Sequence, residues 1–200
     1  MRMTVAVSRT FVMAGILLAS TRTQAEDRQI RAFVGATFAG ATTFVDPEDA
    51  AGAAHLAIGA SAVFLGEIFG AEVEVTDAPG FFEGDKHLVV LSRVTTISGN
   101  VIVAAPHSRT EYSLRPYLVA GAGLMRVRTT TSLDVFDVAS VIPAIDFGAG
   151  ALGFFTNRIG VAWDLRRFQS VGSNVGNAGL SFGEEHLSFW RATMAVVIRY

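Results

Sequence analysis

The chain has 200 residues, half of them hydrophobic and 17% charged, with 16 Lys and Arg against 18 Asp and Glu and no cysteine. About a quarter of a soluble domain is charged, so this composition is apolar, yet beyond the N-terminus no apolar run reaches the roughly 18 residues of a membrane-spanning helix. The lack of cysteine excludes disulfides, thiolate metal sites and a lipid-anchored N-terminal cysteine.

The first 25 residues have the make-up of a secretory signal. Arg2 and Arg9 give a basic start, "FVMAGILLA" (11–19) a short apolar core, and "TQA" (23–25) small residues at a cleavage site. The expected division is therefore a signal peptide over 1–25 and a mature domain over 26–200. Removing residues 1–25 takes three arginines and no acid, which leaves 13 basic against 18 acidic residues, a net charge of −5. Nucleic acid, which needs a basic face, is excluded as a partner.

From residue 29 onward the pattern is alternation, the signature of strands whose side chains point to opposite faces in turn. Eight strands are expected, at about 29–41, 54–65, 68–77, 89–105, 112–127, 143–155, 159–169 and 187–200. In the first, Ala32, Val34, Ala36 and Phe38 oppose Arg31, Phe33, Gly35 and Thr37. In the third, Phe69, Ala71, Val73 and Val75 oppose Gly70, Glu72, Glu74 and Thr76. In the seventh, Ile159, Val161, Trp163 and Leu165 oppose Gly160, Ala162, Asp164 and Arg166. In the last, Trp190, Ala192, Met194, Val196, Ile198 and Tyr200 oppose Arg191, Thr193, Ala195, Val197 and Arg199. The faces of 89–105 and 112–127 stay unassigned.

The sixth segment holds "DFGAGALGFF" (146–155), with Gly148, Gly150 and Gly153 in a Gly-x-Gly-x-x-Gly pattern. A dinucleotide turn requires a crossover helix after it. Only residues 154–158 precede the next strand, so no such helix fits. These glycines, like those of "GAGL" (121–124), are expected as small residues inside strands, where neighbours approach closely.

The connections are expected to alternate. "LGEI" (65–68), "PHSRTEY" (106–112) and "TNR" (156–158) are short, whereas 42–53, 78–88, 128–142 and 170–186 are long. In an up-and-down meander the short turns then fall at one end and the long loops at the other, as in outer-membrane barrels. A sheet in lipid must close on itself, because no water satisfies an open edge. The fold class expected is all-β: an antiparallel up-and-down transmembrane barrel of about eight strands. The apolar faces then meet lipid and the charges fill the lumen, with Glu72, Glu74, Asp164, Arg166, Arg191 and Arg199 as the interior charge network. Tyr117, Trp190, Tyr200, Phe69, Phe155 and Phe168 are expected as aromatic girdles.

"SLRPYLVAGAGLMRV" (113–127), "FGAEVEV" (69–75) and "IGVAWDLRRF" (159–168) resemble strands of the small bacterial outer-membrane β-barrel proteins, the OmpA/OmpX/OmpW-like barrels. The last strand is similar to their aromatic-terminated assembly signal, with Trp190 and Tyr200 in that role. The resemblance implies a Gram-negative cell-envelope protein in the outer membrane, surrounded by its lipid and inserted by the barrel-assembly machinery; the oligomeric state stays open, with a monomer expected. It implies no catalytic residue, metal or cofactor.

His55, His87, His107 and His186, with Asp85, Glu184 and Glu185, have no metal-ligand spacing. His107 and Ser108 are adjacent, which does not suit a base–nucleophile pair. Three functions stay open: a structural or surface-interaction barrel with a filled lumen, a small porin-like channel for ions or small solutes, and a secreted soluble barrel around an apolar ligand.

Overall fold

The computed structural model describes residues 27–42, 54–81, 89–106, 110, 114–131, 137–171 and 187–200. Eight strands carry most of them: β1 (Asp27–Thr42), β2 (His55–Leu65), β3 (Phe69–Pro79), β4 (Val89–Ala104), β5 (Leu114–Thr131), β6 (Asp137–Phe154), β7 (Ile159–Ser170) and β8 (Leu187–Arg199). Each pairs antiparallel with the next, and β8 returns to β1 from Gln29 opposite Arg199 to Thr42 opposite Leu187. The sheet is thus a closed barrel with no free edge, the only sheet form whose backbone is satisfied in lipid. The Gly-x-Gly-x-x-Gly run lies within β6, and a four-residue turn, 155–158, leads straight into β7. In that turn Thr156 Oγ1 accepts the backbone N–H of Ile159 at 2.9 Å, a hydroxyl-stabilised turn.

The connections depart from the expected alternation. β5 and β6 stay paired as far as Thr130 opposite Asp137, so the connection expected over 128–142 shrinks to 132–136. Arg126 and Arg128 put charge on the outward face of this extension, and a polar strand reads as loop. In the other direction, β4 and β5 are joined by 105–113, as long as the 80–88 connection. The wall therefore stands tallest on the β4–β6 side at the long-loop end.

Parity now settles the two unassigned strands. Ile97, Val101 and Val103 of β4 point outward, while Ser92, Thr96, Ser98 and Asn100 point in. In β5, Leu114, Leu118 and Leu124 point outward, while Arg115, Tyr117, Val119, Met125 and Val127 point in. On β5 the outward apolar span, 114–124, matches the roughly nine to eleven residues needed to cross a bilayer core at a tilt.

β1 carries a bulge between Phe38 and Ala41, and within it Ala39 adopts φ 48°. An alanine there suffers the Cβ–carbonyl clash that glycine avoids. Ala39→Gly is expected to stabilise the barrel by about 1 kcal/mol, measured as a higher urea midpoint in detergent micelles. A lower midpoint would mean that the bulge is held without strain.

The interior is layered. At the short-turn end Val63, Leu65, Ile102, Ala104, Leu152 and Val197 form one apolar plug. At the long-loop end Val94, Met125, Ile142, Phe168, Leu187 and Phe189 form a second, in which the Phe168 and Phe189 rings stack at 5.1 Å. A layer of charged side chains lies between the two.

Candidate functional site: an ionic layer inside the barrel

Arg166 of β7 is the hub of that middle layer. Its Nε lies 2.7 Å from Asp164 Oδ1, its Nη2 2.8 Å from Glu72 Oε2, and its Nη1 3.2 Å from Glu74 Oε2. Glu72 and Glu74 reach it from β3, on a part of the wall that is not hydrogen-bonded to β7. Arg191 of β8 holds the other oxygen of Glu74, Oε1, at 2.7 Å, and donates to Thr76 Oγ1 at 2.6 Å. Thr76 in turn donates to Glu74 Oε1 at 2.9 Å. The Arg191 guanidinium also sits over the rings of Phe168 and Phe33, at 4.6 and 5.2 Å. A planar cation between two ring faces is favoured electrostatically.

The layer extends further than the expected set. Arg31 lies 3.9 Å from Glu72 and donates to Tyr117 Oη at 3.4 Å, and Tyr117 Oη donates to Asp164 Oδ2 at 2.8 Å. Asn100 Nδ2 donates to Glu72 Oε2 at 3.2 Å. Asp146 Oδ2 stands 3.7 Å from Arg166 Nη1, beyond hydrogen-bond distance. Three guanidiniums thus face four carboxyl groups, and Asp146 is the loosest member. Because the hubs Arg166 and Arg191 are only 2% and 1% exposed, the pairs are desolvated, and each charge depends on its partners.

The glycines of the Gly-x-Gly run belong to this layer. A Cβ on Gly148 would fall 2.8 Å from Arg166 Cγ, and one on Gly150 2.5 Å from the Tyr117 ring. Gly121 stands in the same way against the Asn100 amide. Each glycine admits a long inward chain from the neighbouring strand.

Of the six residues expected to form the network, Glu72, Glu74, Asp164, Arg166 and Arg191 meet here. Arg199 does not. It pairs with Asp27 at 2.9 Å near the short-turn end and stacks on Phe154 at 3.8 Å. Arg115 ties that end together by donating to the carbonyls of Ala105 (2.7 Å), Gly66 (2.9 Å) and Glu67.

No family model matches the sequence, and no curated protein matches it. Solved structures do match. Neisserial surface protein A has a TM-score of 0.60 and 13% identity over 88% of this chain and all of that one. The N-terminal β-barrel domain of Pseudomonas aeruginosa OprF has a TM-score of 0.56 and 18% identity, over 87% and 97% of the two chains. A major outer membrane protein from Thermus thermophilus has a TM-score of 0.50 and 11% identity, over 86% and 99%. The fold is that of the small outer-membrane β-barrels.

Within this small outer-membrane-type barrel two of the expected girdle aromatics move. Tyr117 and Phe168 are 4% and 1% exposed and lie in the lumen. Phe168 shares the parity of Arg166, which was the signal for an inward position, and Tyr117 shares that of Arg115 on a strand whose faces the sequence left unassigned. Phe69, Phe155 and Tyr200 are outward and exposed near the short-turn end, and Trp190 is outward and half-buried under Arg167, whose guanidinium is 5.5 Å from its ring. Arg31 and Asp146 are the charged layer members that the sequence analysis did not single out; each shares its strand's inward parity, Asp146 with Gly148 and Gly150. His55 is half-buried, 6.1 Å from the Phe81 ring. His87, His107, Ser108, His186, Asp85, Glu184 and Glu185 lie outside the described residues.

Proposed function

We propose that the protein is an integral outer-membrane barrel with a structural or surface-interaction role, its lumen closed by the ionic layer and the two apolar plugs. Polarity inversion carries the proposal: paired, nearly water-free charges fill the inside, while Ile97, Val73, Leu118, Met194 and Val196 stand more than half exposed on the outside. A soluble barrel has no reason to show that belt to water, whereas acyl chains would cover it. Residues 1–25 would direct export and be removed. The outward aromatics Trp190 and Tyr200 would present the last strand to the assembly machinery, and the barrel would work as a monomer without catalysis.

A closed middle layer also favours this role over the porin-like one, since a conducting path would have to break buried pairs. The protein is expected to fractionate with outer membranes, to need detergent for extraction, and to change gel mobility when heated. In a planar bilayer it is expected to pass no steady current. Recovery in detergent-free buffer would overturn the membrane placement, and stepwise conductance would overturn the closed lumen while leaving that placement intact.

A further inference from the structure

Above the apolar belt on the tall side of the wall, three arginines share one outward face. Arg93 of β4 stands directly opposite Arg128 of β5, and Thr95 opposite Arg126. Like charges directly opposite each other across a strand pair repel and are ordinarily avoided. Among the described residues a single carboxylate answers them: Asp77 Oδ2 lies 3.3 Å from Arg93 Nε, and Asp77 Oδ1 accepts from Thr95 Oγ1 at 2.8 Å. Arg126 and Arg128 are exposed and have no ion pair among the described residues. Among the described residues the patch therefore carries an excess of about two positive charges.

Below it the same face turns apolar. Ile97, Leu124 and Val141 line, together with the three arginines and Thr95, a groove of about 320 Å³. Cations above and branched aliphatic chains below form an amphipathic slot at the boundary where a headgroup meets its acyl chains. A guanidinium pairs with phosphate in two parallel hydrogen bonds, and an anion between Arg93 and Arg128 would relieve their repulsion.

We propose that this groove binds the headgroup of a membrane lipid ending in a phosphomonoester, with acyl chains lying along Ile97, Leu124 and Val141. The charge selects the monoester: a dianionic group balances the two arginines that have no ion pair among the described residues, and a phosphodiester, with one charge, does not. This rests on the membrane placement proposed above.

The test uses the mature protein and its Arg126→Gln/Arg128→Gln variant in phosphatidylcholine nanodiscs, titrated with bisphosphorylated lipid A, with phosphatidylglycerol or with inorganic phosphate. Heat-dependent gel mobility of both proteins shows that they are folded in the bilayer. Failure of that step for the unsubstituted protein would count against the membrane placement, not the groove. With both folded, the variant is expected to bind lipid A at least about tenfold more weakly, each lost charged hydrogen bond being strong. Arg158→Gln, on the exposed turn at the opposite rim, is expected to leave binding unchanged. Phosphatidylglycerol is expected to bind at least several-fold more weakly than lipid A, and inorganic phosphate not measurably. Equal lipid A binding by the variant would overturn the proposal. So would equal binding of phosphatidylglycerol, which would mean unspecific surface charge, or of inorganic phosphate, which would mean that the acyl chains take no part.

Discussion

Arg166→Met is expected to lower the unfolding free energy by about 3–5 kcal/mol, the usual cost of stripping one partner from a buried ionic cluster. Methionine restores much of the volume, so the loss reports charge and not a cavity. Glu72, Glu74 and Asp164, each within 3.2 Å of the guanidinium, would be left facing one another. Asp146→Asn provides the contrast. Its carboxylate comes no nearer than 3.7 Å to Arg166, and neutralising it brings the layer to three charges against three, so a change within about 1 kcal/mol is expected. Urea unfolding in micelles, followed by the fluorescence of Trp163 and Trp190, measures both. If the two substitutions cost the same, the layer is not organised around Arg166.

Val73→Arg should be the second large effect, and its size depends on the solvent outside the barrel. Val73 is 59% exposed in the middle of the outward face of β3. In a bilayer an arginine at that depth costs about 2–4 kcal/mol. On the surface of a soluble barrel the same change falls within about 0.5 kcal/mol. Reversible unfolding from lipid vesicles, set against Leu114→Arg near the short-turn end, gives the depth dependence. A negligible cost at both positions would remove lipid from the outside of this barrel.

The strands were legible because a closed wall with two chemically distinct sides imposes a period of two on the sequence. That held wherever the inward positions were charged, as in β3, β7 and the last strand. It failed where the interior itself is apolar. β5 places Val119, Met125 and Val127 inside and Arg126 and Arg128 outside, so polarity alone would point it the wrong way. The same cause misplaced Tyr117 and Phe168, which belong to the lumen's aromatic and apolar ends. Within the ionic layer, Glu72 with Glu74 and Asp164 with Arg166 stood out as charges two residues apart on one face. Asp146 has Ala144 and Gly148 at those positions, so no second charge marks its face. Arg199 had the right parity, but parity says nothing of height, and height separates it from the cluster.

The ionic layer also bears on the chronology of assembly. Hairpins of adjacent strands can form one by one, because their partners are close in sequence. Glu74 and Arg191 cannot meet that way, since β3 and β8 become opposite walls only when the first strand has joined the last, across 170 residues between Gln29 and Arg199. Half-built intermediates must therefore keep these ions wetted. The final seam and the expulsion of water from the centre become one cooperative event, so closing the barrel and drying its centre should happen together.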